Sequence, residues 1–288
     1  MKRNAMKKTL AVLVMVMLGF SLFAQNTSSG SVKLTAAYGT GFEAKLDAAY
    51  QVKIPMLVGD GALFSGNNLK VKAGLGLSPI AGTFTLDAVL TPMAVFEFSL
   101  GGGVGTGWDF DLMSLNGLKI ASGGIGSPLA SDSLGGLYYL GKAGAAFQFD
   151  TGAVFKGDWM SVVIRSYQEL NYKGYSAADA SIAWEYENGG SMVNGFNYKG
   201  EYVLGYQMPL MVNFVGLQLE TYRYDLFGTK SDLVGDLSIL ANTQINDQFS
   251  VLTAIQLTNY VKETDTTRVI TKVDPKFKRV ALIASYAF

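Results

Sequence analysis

Residues 42–54 read Phe42-Glu43-Ala44-Lys45-Leu46-Asp47-Ala48-Ala49-Tyr50-Gln51-Val52-Lys53-Ile54. Every second residue, from Phe42 through Leu46, Tyr50 and Val52 to Ile54, is apolar. The residues between them, Glu43, Lys45, Asp47, Gln51 and Lys53 with Ala49, are mostly charged or polar. A period of two places the first set on one face of a β-strand and the second on the other. A helix would scatter these charges around its whole circumference. The alternation outlasts the roughly 5–6 residues of an ordinary strand and suits a tilted membrane strand of about 9–11 residues with overhang.

The pattern recurs along the chain. Lys70 and Lys72 alternate with Leu69, Val71 and Ala73, and Asp87 with Leu86 and Ala88. Farther on, Ser181, Glu185 and Glu187 alternate with Ile182, Trp184 and Tyr186, and Asn197, Lys199 and Glu201 with Tyr198 and Tyr202. The expected strands are 31–38, 42–54, 68–78, 82–91, 94–106, 137–149, 153–168, 178–187, 196–208, 212–224, 232–246, 248–262 and 277–288. Pro55, Pro79, Pro92, Pro128, Pro209 and Pro275 fall between these segments or at their ends, where no ladder donor is lost. Thr91-Pro92, Asp150-Thr151-Gly152, Met208-Pro209 and Asn246-Asp247 predict short turns, and 108–136, 188–195 and 263–276 longer polar joints. Short turns alternating with long loops suit an all-β, transmembrane, antiparallel up-and-down β-barrel. The segment tally is odd, a barrel needs an even number, and the conflict lies near 150–178. The expectation is therefore 12–14 strands.

The last strand carries the most specific motif. Val280, Leu282, Ala284, Tyr286 and Phe288 are apolar at alternate positions up to the final residue. This resembles the C-terminal signal of bacterial outer-membrane barrels, in which the last residue is usually aromatic with an aromatic or apolar residue two before it. Ala281 and Ile283 stand where that family favours a polar residue and a glycine. Composition and turn style over about 30–288 look like porin-like outer-membrane barrels of spirochaete type. The resemblance implies residence in the cell outer membrane, with its lipid bilayer and the barrel-insertion machinery as partners. Val280, Leu282, Tyr286 and Phe288 would then be the insertion signal. Tyr38, Tyr50, Trp184, Tyr186, Phe196, Tyr198 and Tyr206 are candidate members of aromatic girdles at the membrane interfaces.

The N-terminus agrees with export. Lys2, Arg3, Lys7 and Lys8 precede an apolar core at Leu10–Leu18 and a joint at Gly19–Ala24. The expected organisation is a signal peptide over 1–24 and a barrel over 25–288. Lys plus Arg and Asp plus Glu both number 23, so no basic surface for nucleic acid is indicated. The sequence has no Cys and no His, which removes disulfides, thiolate metal sites and Ser-His-Asp chemistry. Enzymes among outer-membrane barrels rely on an active-site histidine, so the resemblance implies a protein that is no enzyme. No cofactor or metal is expected.

The glycine run Gly101–Gly107 lacks the Lys-Ser/Thr ending of a phosphate loop and no helical pattern follows it, so its glycines are expected to end a strand or make room inside the barrel. Asp179, Glu185, Glu187 and Glu201 read as solvated lumen carboxylates rather than as a calcium or acid/base site. The candidate lumen charges are Lys45, Lys53, Lys70 and Lys72 from early strands and Glu185, Glu187 and Glu201 from later ones. They stand either as local ion pairs, with Asp47 or Glu43 as partners, or as a transverse field. The expected function is a passive pore for ions or small hydrophilic solutes. The alternatives are a non-transporting surface barrel with an adhesive or structural role, and a soluble exported β-protein.

Overall fold

The computed structural model describes residues 26–39, 41–155, 157–228, 233–264, 267–270 and 276–288, with 260–270 described as backbone only. The segment 1–24, expected as a signal peptide, and Pro275 lie outside the described residues. Twelve antiparallel strands close into one barrel in up-and-down order. They are β1 (Thr27–Gly39), β2 (Phe42–Pro55), β3 (Asn68–Leu77), β4 (Ala81–Met93), β5 (Phe96–Gly107) and β6 (Tyr138–Asp150). The second half comprises β7 (Val162–Tyr175), β8 (Gly195–Gln207), β9 (Val212–Arg223), β10 (Leu233–Gln244), β11 (Phe249–Thr258) and β12 (Lys276–Ala287).

The register explains why alternation decides the fold. Leu46, Ala48, Tyr50 and Val52 of β2 stand beside Leu77, Leu75, Ala73 and Val71 of β3. Leu69, Ala73 and Leu75 stand in turn beside Leu90, Leu86 and Phe84 of β4. Each strand thus adds its apolar parity to one continuous outer face, and Leu34, Leu46, Leu86, Leu100, Leu204, Leu217, Ile239 and Leu282 are all exposed on it. Polar parity faces inward. This inside-out distribution is stable only where hydrocarbon replaces water around the barrel, and closure leaves no strand edge unpaired in that medium.

The seam closes between β1 and β12, from Ser31 opposite Ala287 to Gly39 opposite Arg279. Phe288 extends it. Its carbonyl accepts from the Gly30 amide at 2.7 Å, and its own amide donates to the Gly30 carbonyl at 3.0 Å. The Phe288 ring covers Gly30 so closely that a Cβ there would lie 2.3 Å from a ring carbon.

The two rims differ. At the rim where Thr27 and Ala287 lie, the connections are 56–67, 94–95, 151–161, 208–211 and 245–248, which include all four expected short turns or their immediate neighbours. At the opposite, loop rim they are 40–41, 78–80, 108–137, 176–194, 224–232 and 259–275.

Two expected strands are corrected. The segment 153–168 is displaced to Val162–Tyr175. The Asp150 carboxylate accepts from the Gly152 amide and caps a 3-10 turn at Thr151–Ala153, and the Thr151 hydroxyl then holds the Val162 amide at 2.8 Å, delaying the strand. The segment 178–187 is no membrane strand. It lies in the connection 176–194, where only Trp184–Tyr186 is extended. Its removal makes the strand number even. Its alternation belongs to a small folded unit, in which Trp184, Glu185 and Tyr186 are all buried.

Candidate functional site: the lumen and its folded-in loops

The inner face has two unlike walls. On β1–β3 the inward residues include Lys33, Lys45, Lys53, Lys70 and Lys72 with Glu43 and Asp47. Lys33, Lys53 and Lys72 are exposed to water although the wall around them is closed, and among the described residues none of the three makes an ion pair. Lys70 pairs with Glu97 at 2.8 Å.

Across the barrel the inward charges interlock. Arg165 meets Glu201 at 2.8 Å, and Lys199 bridges Glu201 at 3.6 Å and Glu220 at 3.1 Å. Glu201 and Glu220 are cross-strand partners, so the Lys199 ammonium offsets a like-charge contact that would otherwise be unfavourable. Lys278 pairs with Asp236, and Arg279 joins Gln256 at 3.0 Å to Glu43, which carries the chain of contacts past the seam. Asp236, Ser238, Gln256 and Thr258 are buried in this wall.

The loop rim is bridged from within. Leu118–Ala121, Leu129–Ser131 and Trp184–Tyr186 form a three-stranded antiparallel sheet that joins the two longest described connections. It packs on inward residues of the wall. The Tyr186 ring stacks on Tyr138 at 4.4 Å, and Trp184 lies 6.0 Å from Tyr138 and 6.1 Å from Tyr175. Leu118, Tyr175 and Trp184 are fully buried. Tyr186 reaches β4, its hydroxyl 2.7 Å from that of Thr83 and donating to the Gly82 carbonyl at 3.1 Å. Room for it comes from Gly105, where a Cβ would lie 2.5 Å from the Tyr186 hydroxyl. The glycine run therefore lies in β5, with Gly101, Gly103 and Gly105 facing inward, as expected for glycines that make room.

One latch crosses to the lysine wall. Glu187 sits in the left-handed region, at φ 52°, and its carboxylate meets the Lys45 ammonium at 3.3 Å. A non-glycine residue held there is strained, and the surrounding loop must enforce it. Farther out, Asp109 accepts from Asn116 at 2.9 Å and from Ser131 at 2.7 Å, and these donors hold its carboxyl below the usual carboxylate range. Burial pushes the Tyr186 hydroxyl up to about 12.

The structure thus brings Lys45 to Glu187 and sets Lys53, Lys70, Lys72 and Glu201 on the inner wall. Glu185 lies in the folded-in sheet instead, buried, with Lys119 at 3.3 Å. Local pairing of Lys45 with Glu43 or Asp47 does not occur, because Arg279 takes Glu43 and Glu187 takes Lys45. Tyr38, Tyr50, Phe196, Tyr198 and Tyr206 hold the outward parity, while Trp184 and Tyr186 pack inside the mouth, away from any interface girdle. Lys33, Lys142, Arg165, Glu220, Asp236 and Arg279 were not singled out from sequence. The parity rule would have found Lys33, which alternates with Val32 and Leu34.

A closed, even-stranded antiparallel barrel with an apolar exterior, a charged interior and long loops on one rim is an outer-membrane-type β-barrel, and this fold fits the outer membrane. No family model matches the chain, and no curated protein matches it. Among solved structures it is similar to a KdgM porin in complex with disordered oligogalacturonate, at 10% identity over 90% of this chain and 99% of that one, with a TM-score of 0.41. OmpT, an outer membrane protein of Vibrio cholerae, gives 10% identity, 93% and 99% coverage and a TM-score of 0.40. An anion-selective porin from Comamonas acidovorans gives 10%, 92% and 99%, and 0.34. Likeness at this level concerns barrel architecture and assigns no residue a role.

Proposed function

We propose that the chain is exported by the signal peptide 1–24, is inserted into the outer membrane through the terminal signal Val280, Leu282, Tyr286 and Phe288, and acts there as a passive pore for ions or small hydrophilic solutes. The observation that carries the pore is the exposure of Lys33 and Lys72 inside the closed wall, with Lys53 exposed beside them at the rim. Ammonium groups at that depth need water, and a water-filled strip along β1–β3 is a route for solutes. The Thr27 rim would face the periplasm and the loop rim the outside.

A second reading, a non-transporting surface barrel with an adhesive or structural role, draws on a different observation. The connections 108–137 and 176–194 fold over the mouth with a buried core of their own. Planar bilayers separate the two. Refolded protein should give conductance steps above empty-bilayer controls. Their absence in the wild type, with steps appearing in Lys45→Ala, would favour the closed surface barrel.

A further inference from the structure

We infer that Lys33, Lys53 and Lys72 form a binding strip for small anionic solutes bearing carboxylate or phosphate groups. This rests on the pore reading and gives it a substrate class.

Lys53 and Lys70 are direct cross-strand partners, and Lys72 follows Lys70 on the same face. Direct partners lie about 5 Å apart, and residues two apart on one strand about 7 Å. Like charges so close are unfavourable unless something offsets them. The carboxylates nearest Lys70 and Lys72 are already engaged. Glu97 takes Lys70 at 2.8 Å, and Asp87, the cross-strand partner of Lys72, takes Lys142 at 2.9 Å. Asp47 is the partner of Lys33 in the register, yet no ion pair forms between them.

Register places the lysines as a ladder. Lys53 pairs with Thr27 at one rim, Lys72 lies beside Gln51, which pairs with Ser29, and Lys33 and then Lys45 follow toward the Glu187 latch. Between the Thr27 and Lys33 levels the inward residues of β1–β3 are Ser29, Ser31, Ala49, Gln51 and Gly74 with the lysines, and none is acidic. Ammonium groups that hold no ion pair, set at successive depths between low-dielectric walls, raise the local concentration of anions and pass them from site to site.

Two measurements on the refolded full barrel test this. In planar bilayers under a KCl gradient, the wild type should prefer chloride to potassium. The triple variant Lys33→Gln/Lys53→Gln/Lys72→Gln should lower that permeability ratio by about threefold, and the triple Lys→Arg variant should restore it. In neutral detergent, fluorescence anisotropy of 8-hydroxypyrene-1,3,6-trisulfonate should report binding to the wild type and the Arg variant, and loss of binding in the Gln variant. Conductance with a ratio that ignores the Gln substitutions overturns the strip and leaves the pore standing. No conductance, with probe binding that still depends on the lysines, removes the pore and leaves the strip. Neither conductance nor probe binding overturns both.

Discussion

The wall of β1–β3 and the wall of β8–β11 are built from the same alternation but serve opposite ends. On β8–β11 the inward carboxylates Glu201, Glu220 and Asp236 each have a cation, and Asp236, Ser238 and Gln256 are buried. On β1–β3 the inward lysines outnumber the acids available to them, and Lys33, Lys53 and Lys72 stay in water. Charge inside a barrel therefore has two uses. Where partners interlock it holds strands together, and where they are withheld it leaves a hydrated surface.

The two walls should bear unequal costs of mutation. Asp236→Ala leaves Lys278 facing a buried gap and should lower stability by about 3 kcal/mol, whereas Lys72→Gln should change it by less than about 0.5 kcal/mol. Urea titrations followed by loss of the folded band in unheated gels read both. Equal costs would remove the distinction between the walls.

The seam that joins the walls comes next. Deleting Phe288 removes both backbone hydrogen bonds to Gly30 and uncovers that glycine, for a loss of about 2 kcal/mol. Phe288→Leu, which keeps the backbone bonds, should lose less than half of this. A deletion as stable as the wild type would show that Phe288 adds nothing to the seam.

The sheet across the mouth adds a pH dependence. Burial raises the Tyr186 hydroxyl from 10.0 to about 12, so its protonated form is favoured in the folded state. The stabilisation is complete below the unfolded value and is lost as the pH rises through the folded one. Trp184 fluorescence, read in a Trp108→Phe/Trp159→Phe background, should shift toward that of exposed indole between about pH 10 and 12. Tyr186→Phe should weaken this dependence, because Tyr138 and Tyr175 pack in the same buried cluster. The same variant forfeits the hydrogen bonds to Thr83 and Gly82, which is worth about 1 kcal/mol and should show as faster trypsin cleavage at Lys119. Unchanged cleavage would mean that aromatic stacking alone seats the sheet.

Legibility in the sequence followed the range of the interactions. β2, β3 and β8 could be read because alternation is local and their outer face meets lipid uniformly. β7 was misplaced because the turn that delays it depends on Asp150 accepting from Ser161 and Thr151 from Val162, on the far side of the connection. Residues 178–187 imitate a membrane strand because Trp184 and Tyr186 alternate with polar residues, yet their apolar neighbours are Leu118 and Tyr138, far away in sequence. Among the lumen charges parity gave the facing of Lys45, Lys53, Lys70, Lys72 and Glu201. Partner choice escaped it, since Lys45 to Glu187 and Glu43 to Arg279 are set by barrel closure and by the folded-in loop.

Inside an apolar shell, a hydrated lysine wall faces a packed ion-pair wall. The absence of native cysteine allows a direct test by single substitutions in lipid vesicles, labelled with a membrane-impermeant maleimide. Lys72→Cys should react quickly, Ser238→Cys slowly, and outward Leu75→Cys hardly at all until detergent is added. Equal labelling of Lys72→Cys and Ser238→Cys, or ready labelling of Leu75→Cys in intact vesicles, would contradict it.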